Sequence, residues 1–199
     1  MKILKHGILI VFFCGFYSAS KSQNLKVGDK LPDSFWQQEH LIYQSGVYKK
    51  QNLSSYQSSL IILDYWATWC SSCIIKFPEL EELQLKYPDK LKILLVNPAS
   101  YKDKSEEIDA LFNAKRPPFK NYTLPSIVSD TTLIKIFTPV QLPQNIWIIG
   151  GYVRAITSAE FVTETNIQDA IKQREKIVKR IDERKKIVEK KPKQSDVNK

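Results

Sequence analysis

Two cysteines three positions apart, Cys70 and Cys73, separated only by Ser71-Ser72, are the residues of this chain best suited to chemistry. At the start of a helix the leading backbone N–H groups have no partner inside the helix. Together with the helix dipole they stabilise an anion there. A cysteine so placed has a lowered pKa, and its thiolate is the nucleophile. Cys70, on the exposed first turn, then attacks a partner's disulfide to give a mixed disulfide, and Cys73, one turn further and more buried, resolves it. Run backwards, the same pair oxidises a dithiol.

The rest of the cysteine inventory depends on the N-terminus. Met1-Lys2-Ile3-Leu4-Lys5 is a short basic stretch, Ile8 to Tyr17 is almost wholly apolar, and small residues follow at Ser18, Ala19, Ser20 and Ser22. That three-part pattern is a secretory signal peptide with cleavage after about Ser20 or Ser22; the apolar run is short for a permanent span. Phe12 and Phe13 precede Cys14 where a lipoprotein signal has small residues, which argues against lipidation. Cleavage removes Cys14 and leaves Cys70 and Cys73 as the only thiols, in a compartment where thiols are oxidised. A disulfide between them closes so short a loop that it would constrain the unfolded chain little, so the pair reads as used rather than structural. A structural zinc site needs four ligands, and the mature chain adds only His40; no metal and no cofactor are expected.

The elements around the pair must position it. Leu60-Ile61-Ile62-Leu63-Asp64-Tyr65-Trp66 is an apolar run broken by Asp64, suited to a strand buried on both faces. From Cys70 the period changes: Ile74, Phe77, Leu80, Leu83 and Leu85, interspersed with Glu79, Glu81, Glu82 and Lys86, predict an amphipathic helix, with Pro78 inside it. Lys92 to Val96 is a second buried strand, completing a βαβ unit. Ser105 is a candidate N-cap for a helix to about Lys115, stopped by Arg116-Pro117-Pro118. Gln37 to Tyr56 has room for a hairpin. Ser126-Ile127-Val128 reads as a short strand, and Asp130 as the cap of a short helix over Thr131 to Phe137. Asn145–Ile149 and Tyr152–Thr157 read as strands joined by Gly150-Gly151, a hairpin signal. The sum is a mixed α/β sheet flanked by helices. Thr163 begins a last helix.

Of the formal charge of +9, +7 falls in Lys172–Lys199, with 12 Lys/Arg against 5 Asp/Glu, so the remainder is near neutral. No aromatic residues interleave with this basic tail as stacking on nucleic acid requires. A solvated helix that packs its first two turns and frays into a Lys-rich end is the expectation; weak contact with anionic lipid head groups is the alternative.

Trp66-Ala67-Thr68-Trp69-Cys70-Ser71-Ser72-Cys73 resembles the W-A-x-W-C-x-x-C signature of thioredoxin-fold proteins, and more closely that of exported TlpA/ResA-type thiol-disulfide oxidoreductases. Val27-Gly28-Asp29, Pro32-Asp33 and Leu53-Ser54-Ser55-Tyr56 are similar to that group's opening segments, Pro78 to its helix proline, and the resemblance runs from about Val27 to Glu164. It implies a thioredoxin-like domain over 23–165, after a signal peptide over 1–22 and before a basic helix and tail over 166–199, with Ala99–Tyr122 as a helical insertion. It implies that Asp64 is the buried acid that exchanges a proton with Cys73, and that a carboxyl in an apolar strand has its pKa raised. It implies that Pro143, rather than Pro125, is the cis-proline facing the cysteines, and that the backbone of Leu142 pairs with a substrate peptide. Trp69 belongs to the same substrate-binding surface and shields Cys70, while Tyr65 and Trp66 are core aromatics.

Two positions depart from the family pattern: Ser71-Ser72 lacks its proline, and Lys76 stands where an acid is common. The expected activity is disulfide exchange on exported, periplasmic proteins, in the reducing direction by resemblance, together with an unidentified redox partner. A thiol peroxidase is the competing enzyme, but its threonine precedes the cysteine by three residues, and Ala67 holds that place. A binding module with a permanent disulfide is the non-enzymatic competitor.

Overall fold

The computed structural model describes residues 24–113 and 121–190. The expected signal peptide over 1–22, Arg116-Pro117-Pro118 and the tail beyond Lys190 lie outside those residues. In chain order the elements are α1 (Asp33–Gln37), β1 (His40–Gln44), β2 (Val47–Gln51), β3 (Leu60–Tyr65), α2 (Ser71–Lys86), β4 (Leu91–Pro98), α3 (Ser105–Phe112), β5 (Ser126–Asp130), α4 (Leu133–Phe137), β6 (Gln144–Ile149), β7 (Tyr152–Ser158) and α5 (Glu164–Lys190).

The seven strands form one mixed sheet in the order β2-β1-β5-β4-β3-β6-β7. β3 pairs parallel with β4 and antiparallel with β6, and all six of its residues are buried. A strand between two neighbours, with helices on both faces, has no solvated side to alternate toward, hence its unbroken apolar run. Leu60 and Ile62 pack with Ile74, Phe77 and Leu80 of α2, Phe112 of α3, and Ile167 and Ile171 of α5. Ile61, Leu63 and Tyr65 point the other way, against Phe35 and Trp36 of α1 and Leu133 and Phe137 of α4. Asp64 therefore lies on the α2 face, in step with Leu60 and Ile62.

Both expected hairpins form. Ser45-Gly46 and Gly150-Gly151 all have positive φ, as a two-residue turn matched to strand twist requires.

Several expectations change. Asp33–Gln37, to which the sequence reading gave no element, is a short helix whose Phe35 and Trp36 are buried. Leu85 does not share the core stripe of α2; it is 74% exposed, because residues 83 and 85 lie about 200° apart around a helix. α3 starts at Ser105 rather than being capped by it, and ends at Phe112. Glu107 reaches back to accept from the Lys104 N–H at 3.3 Å, which serves the role expected of a cap. α5 packs Ile167 and Ile171 of its first two turns as expected, with Ala170 beside them, and is helical to Lys190; the Lys-rich end expected to fray lies outside the described residues beyond that point. Among the described residues no helix is long and apolar enough to cross a membrane.

Candidate active site

Cys70 is the N-cap of α2. Its Sγ accepts from the Cys73 N–H at 3.3 Å, and its carbonyl accepts from the N–H groups of Cys73 and Ile74 at 3.1 and 3.2 Å. The Cys73 amide is thus shared between the Cys70 carbonyl and sulfur, a contact that helps stabilise a thiolate once the pair is reduced. Cys70 and Cys73 are joined as a disulfide. Cys70 is 6% exposed and Cys73 1%, so both are largely covered and only Cys70 has a window to solvent. Ser72 Oγ lies 3.5 Å from Cys70 Sγ. Cys73 Sγ lies 3.9 Å from the carbonyl oxygen of Tyr65, the residue after Asp64.

Asp64 is 2% exposed and its Oδ1 has no hydrogen-bond partner. Burial pushes its pKa up to about 8, with Lys76 of α2 pulling the other way. An acid with that pKa is part ionised and part protonated near neutral pH, the condition for exchanging protons in both directions. Lys76 is held by Glu79, its Nζ 2.6 Å from Oε2.

In front of the disulfide lies an open groove lined by Trp69, Cys70, Ser71, Ser72 and Tyr101 on one side and Pro139 to Leu142 on the other. Trp69 is 63% exposed and Val140 89%. The Leu142–Pro143 peptide is cis. The Pro125 peptide is not, and the Pro125 carbonyl accepts from Leu95 N within the β4–β5 connection. Of the residues singled out from sequence, Cys70, Trp69 and Leu142 meet in this groove, with Pro143 next to Leu142. Cys73 and Asp64 lie behind it. Trp66 and Tyr65 are fully buried; Trp66 packs edge-on against Phe77 and donates Nε1–H to Ser126 Oγ at 3.0 Å.

Other residues shape the site without having announced themselves. Asp103 accepts from the Thr68 N–H and hydroxyl, both at 2.8 Å, and from Asn97 Nδ2 at 2.6 Å. Asn97 Nδ2 also approaches the Trp66 carbonyl, at 3.3 Å. This carboxylate fastens the loop before Cys70 to the start of the insertion, whose Tyr101 packs on Trp69 with ring centroids 5.9 Å apart. No local spacing marks Asp103; only the fold brings it to Thr68. Asn145 is fully buried beside Asp64 across the β3–β6 pairing. In sequence its one signal is an amide opening an apolar strand.

Residues 43–111 match the thioredoxin family. The thioredoxin-like protein YneN of Bacillus subtilis is 29% identical over 111 residues, 52% of this chain and 61% of YneN. The thiol-disulfide oxidoreductase ResA of Bacillus cereus is 25% identical over 88 residues, 44% of this chain and 46% of ResA. The chain therefore spans less than two thirds of these relatives. The exposed lipoprotein thioredoxin Etrx1 of Streptococcus pneumoniae shares the fold, with a TM-score of 0.55 and 19% identity over 68% of this chain and 99% of its own.

Proposed function

From the match of residues 43–111 to the thioredoxin family and the likeness to thioredoxin-like proteins and a thiol-disulfide oxidoreductase, we propose that this chain exchanges disulfides with exported protein substrates, chiefly as their reductant. The observation that carries the reading is a disulfide whose outer sulfur caps a helix at the floor of an open groove, with an acid of raised pKa buried behind it.

In the reducing direction the Cys70 thiolate attacks a substrate disulfide, one substrate sulfur leaves, and a mixed disulfide forms. Cys73 gives its proton to Asp64 and attacks Cys70 Sγ; the bond from Cys70 to the substrate breaks, and the second substrate sulfur leaves with the electron pair. Two electrons pass to the substrate; its first sulfur takes a proton from solvent, its second can take the Cys73 proton back from Asp64, and the Cys70–Cys73 disulfide is left for a redox partner to reduce. Trp69 and the Leu142 backbone would hold an extended peptide across the groove, on the turn set by Pro143. The hydroxyl of Thr68 is committed to Asp103, which weighs against a peroxidase role for that threonine.

Export to the periplasm is supported by the basic, apolar and small-residue succession at the N-terminus, with a signal peptide over 1–22, a domain over 23–165 and a basic appendage over 166–199. Among the structural neighbours, Etrx1 is described as an exposed lipoprotein. Mass spectrometry of the secreted chain is expected to find an N-terminus at Lys21 or Gln23.

The central test is turnover. In an insulin-type reduction assay, Cys70→Ser is expected to abolish activity and Cys73→Ser to accumulate mixed disulfides. A Cys73→Ser protein that traps no partner sinks the assignment of roles. A Cys70–Cys73 potential as oxidising as about −120 mV, that of a strong dithiol oxidant, sinks the reducing direction.

A further inference from the structure

Asn145 is fully buried, yet neither its Nδ2 nor its Oδ1 has a hydrogen-bond partner. Burying an unpaired amide is costly, and such a group in a folded protein calls for a reason. The other polar side chains near it are engaged. Gln144 Oε1 accepts from Val140 N at 3.1 Å, and Trp147 Nε1 donates to Thr157 Oγ1 at 2.9 Å. Asn145 instead stands directly across from Asp64 in the antiparallel β3–β6 register. Residues so paired project side by side on one face, here the face carrying Leu60, Ile62 and Trp147. The orphaned Oδ1 of Asp64 and the orphaned amide of Asn145 are thus neighbours in an otherwise apolar layer.

The two groups are chemically matched. A carboxylate accepts hydrogen bonds only, a protonated carboxyl also donates, and a primary amide does both. We propose that Asn145 is a positioning residue for Asp64, holding its carboxyl group in both protonation states while Cys73 gives up and regains its proton. This rests on the disulfide-exchange reading above. In the disulfide form described here the two side chains are adjacent but not bonded. When Asp64 is a carboxylate, Asn145 Nδ2 donates to it; once Asp64 has taken the Cys73 proton, Asn145 Oδ1 accepts from the new acid. Turning the amide exchanges the two arrangements, directly or through one internal water molecule. A leucine would fill the position without an unpaired amide but could support neither form.

The groups that bear on Asp64 are few. From α2, Lys76 acts on it through space and is itself paired with Glu79, and Cys73 is its proton partner. Glu160, in the turn before α5, also feels Lys76. β4 places Leu95 next to Asp64, and α5 turns Ile167 and Ile171 toward this layer. Of the two residues paired directly with Asp64 across the sheet, Leu95 and Asn145, only Asn145 supplies both a donor and an acceptor; Thr157, opposite Asn145 on β7, accepts from Trp147 Nε1.

The test is the pH dependence of kcat/KM for reduction of a peptide disulfide, with Asp64 followed by carbon NMR of its carboxyl in the reduced protein. Asn145→Leu and the smaller Asn145→Ala remove donor and acceptor alike. The bond to the carboxylate is charge-assisted and the stronger of the two, so each variant is expected to raise the Asp64 titration and the matching limb of the rate profile by about one pH unit, while thermal stability holds or increases. Asn145→Ser, whose hydroxyl both donates and accepts, is expected to restore most of the shift seen in Asn145→Ala. Profiles for Leu and Ala that superimpose on the wild type, or a Ser variant that tracks Ala, overturn the role of Asn145. Asp64→Asn separates the two levels of inference. If it flattens the limb and the Asn145 variants do not move it, only this proposal fails; if it leaves the limb in place, the proton-exchange reading of Asp64 fails, and this proposal with it.

Discussion

Two strand-to-helix junctions on the same edge of the sheet each carry a buried aspartate, and they treat it in opposite ways. At the β5–α4 junction Asp130 is 4% exposed and answered on every side. Its Oδ1 accepts from Thr132 N, Thr132 Oγ1 and Leu133 N at 3.0–3.1 Å, and its Oδ2 from Ile134 N at 2.7 Å. His40 lies on the same group, Nδ1 4.0 Å from Oδ1; burial lowers the histidine's pKa and Asp130 opposes the change. At the β3–α2 junction Asp64 is 2% exposed, and its Oδ1 has no partner. There the one helix amide that meets a side chain, Cys73 N–H, goes to Cys70 Sγ while also reaching the Cys70 carbonyl. The first junction gives the helix N-terminus to the acid and makes a structural cap. The second gives it to sulfur and leaves the acid with a raised pKa. Which group receives the amides decides which junction can do chemistry.

The widest separation between the two is expected from pH. The folded chain holds the Asp64 proton up to about pH 8, whereas the unfolded chain releases it near the ordinary value of 3.8. The folded state therefore binds the extra proton between those values, and stability falls as pH rises through that window. Asp64→Asn removes this dependence. The variant is expected to match the wild type near pH 4 and to exceed it in urea unfolding at pH 9 by of the order of 5 kcal/mol. Its kcat is expected to fall by about a hundredfold, the usual scale for losing a positioned acid or base. Equal stabilities at both pH values would place the two aspartates in the same class.

Asp130→Ala tests the other side and should run in reverse. Orphaning the first amides of α4 is expected to cost about 2–3 kcal/mol at pH 7 in the same unfolding measurement. The rate profile of the folded variant should keep the wild-type shape. A shifted profile would mean that Asp130 reaches the redox site.

The contrast between the junctions was partly visible in sequence. Asp130 before Thr-Thr-Leu is a local capping pattern, and the helix expected over Thr131 to Phe137 ends at Phe137 but begins at Leu133, with Thr132 at its N-cap position and Asp130 two residues earlier. Asp64 in an apolar strand and Cys-x-x-Cys ahead of a 3.6-residue repeat are local patterns too, so the β3–α2 unit was legible in outline. Apart from the Leu142–Pro143 wall that the resemblance implied, what escaped was set by register or by contact between distant segments. Asn145 meets Asp64 only because β6 pairs antiparallel at that offset. Asp103 meets Thr68 across 35 residues. The short helix α1 is too brief for its periodicity to show. Leu85 was misplaced by counting apolar residues rather than angles.

Asp103 ties the reactive junction to the insertion, so its loss should be felt at the groove more than in the core. Asp103→Ala removes three hydrogen bonds from a half-buried carboxylate and is expected to cost about 1–2 kcal/mol of stability. With Thr68 released and the Trp69–Tyr101 contact loosened, KM for a peptide disulfide should rise severalfold while kcat changes less. A fall in kcat at constant KM would instead place Asp103 with Asp64, in the chemistry rather than in the binding surface.

The smallest effect is expected where the two junctions meet. The segment leaving α4, the helix that Asp130 caps, runs through Pro139 to Leu142 and becomes the far wall of the groove in front of Cys70. Val140 on that wall is 89% exposed and packs against nothing that would explain an apolar side chain. A peptide that covers it gains the burial of one valine, up to about 1.5 kcal/mol or roughly tenfold in affinity, and less if the cover is partial. Val140→Ser is therefore expected to leave unfolding and the pH profile unchanged and to raise KM for a peptide disulfide a few-fold. A small disulfide that cannot span the groove should be reduced at the wild-type rate. If both substrates respond equally, the α4–β6 segment influences the cysteines themselves, and the division between a structural and a chemical junction no longer holds.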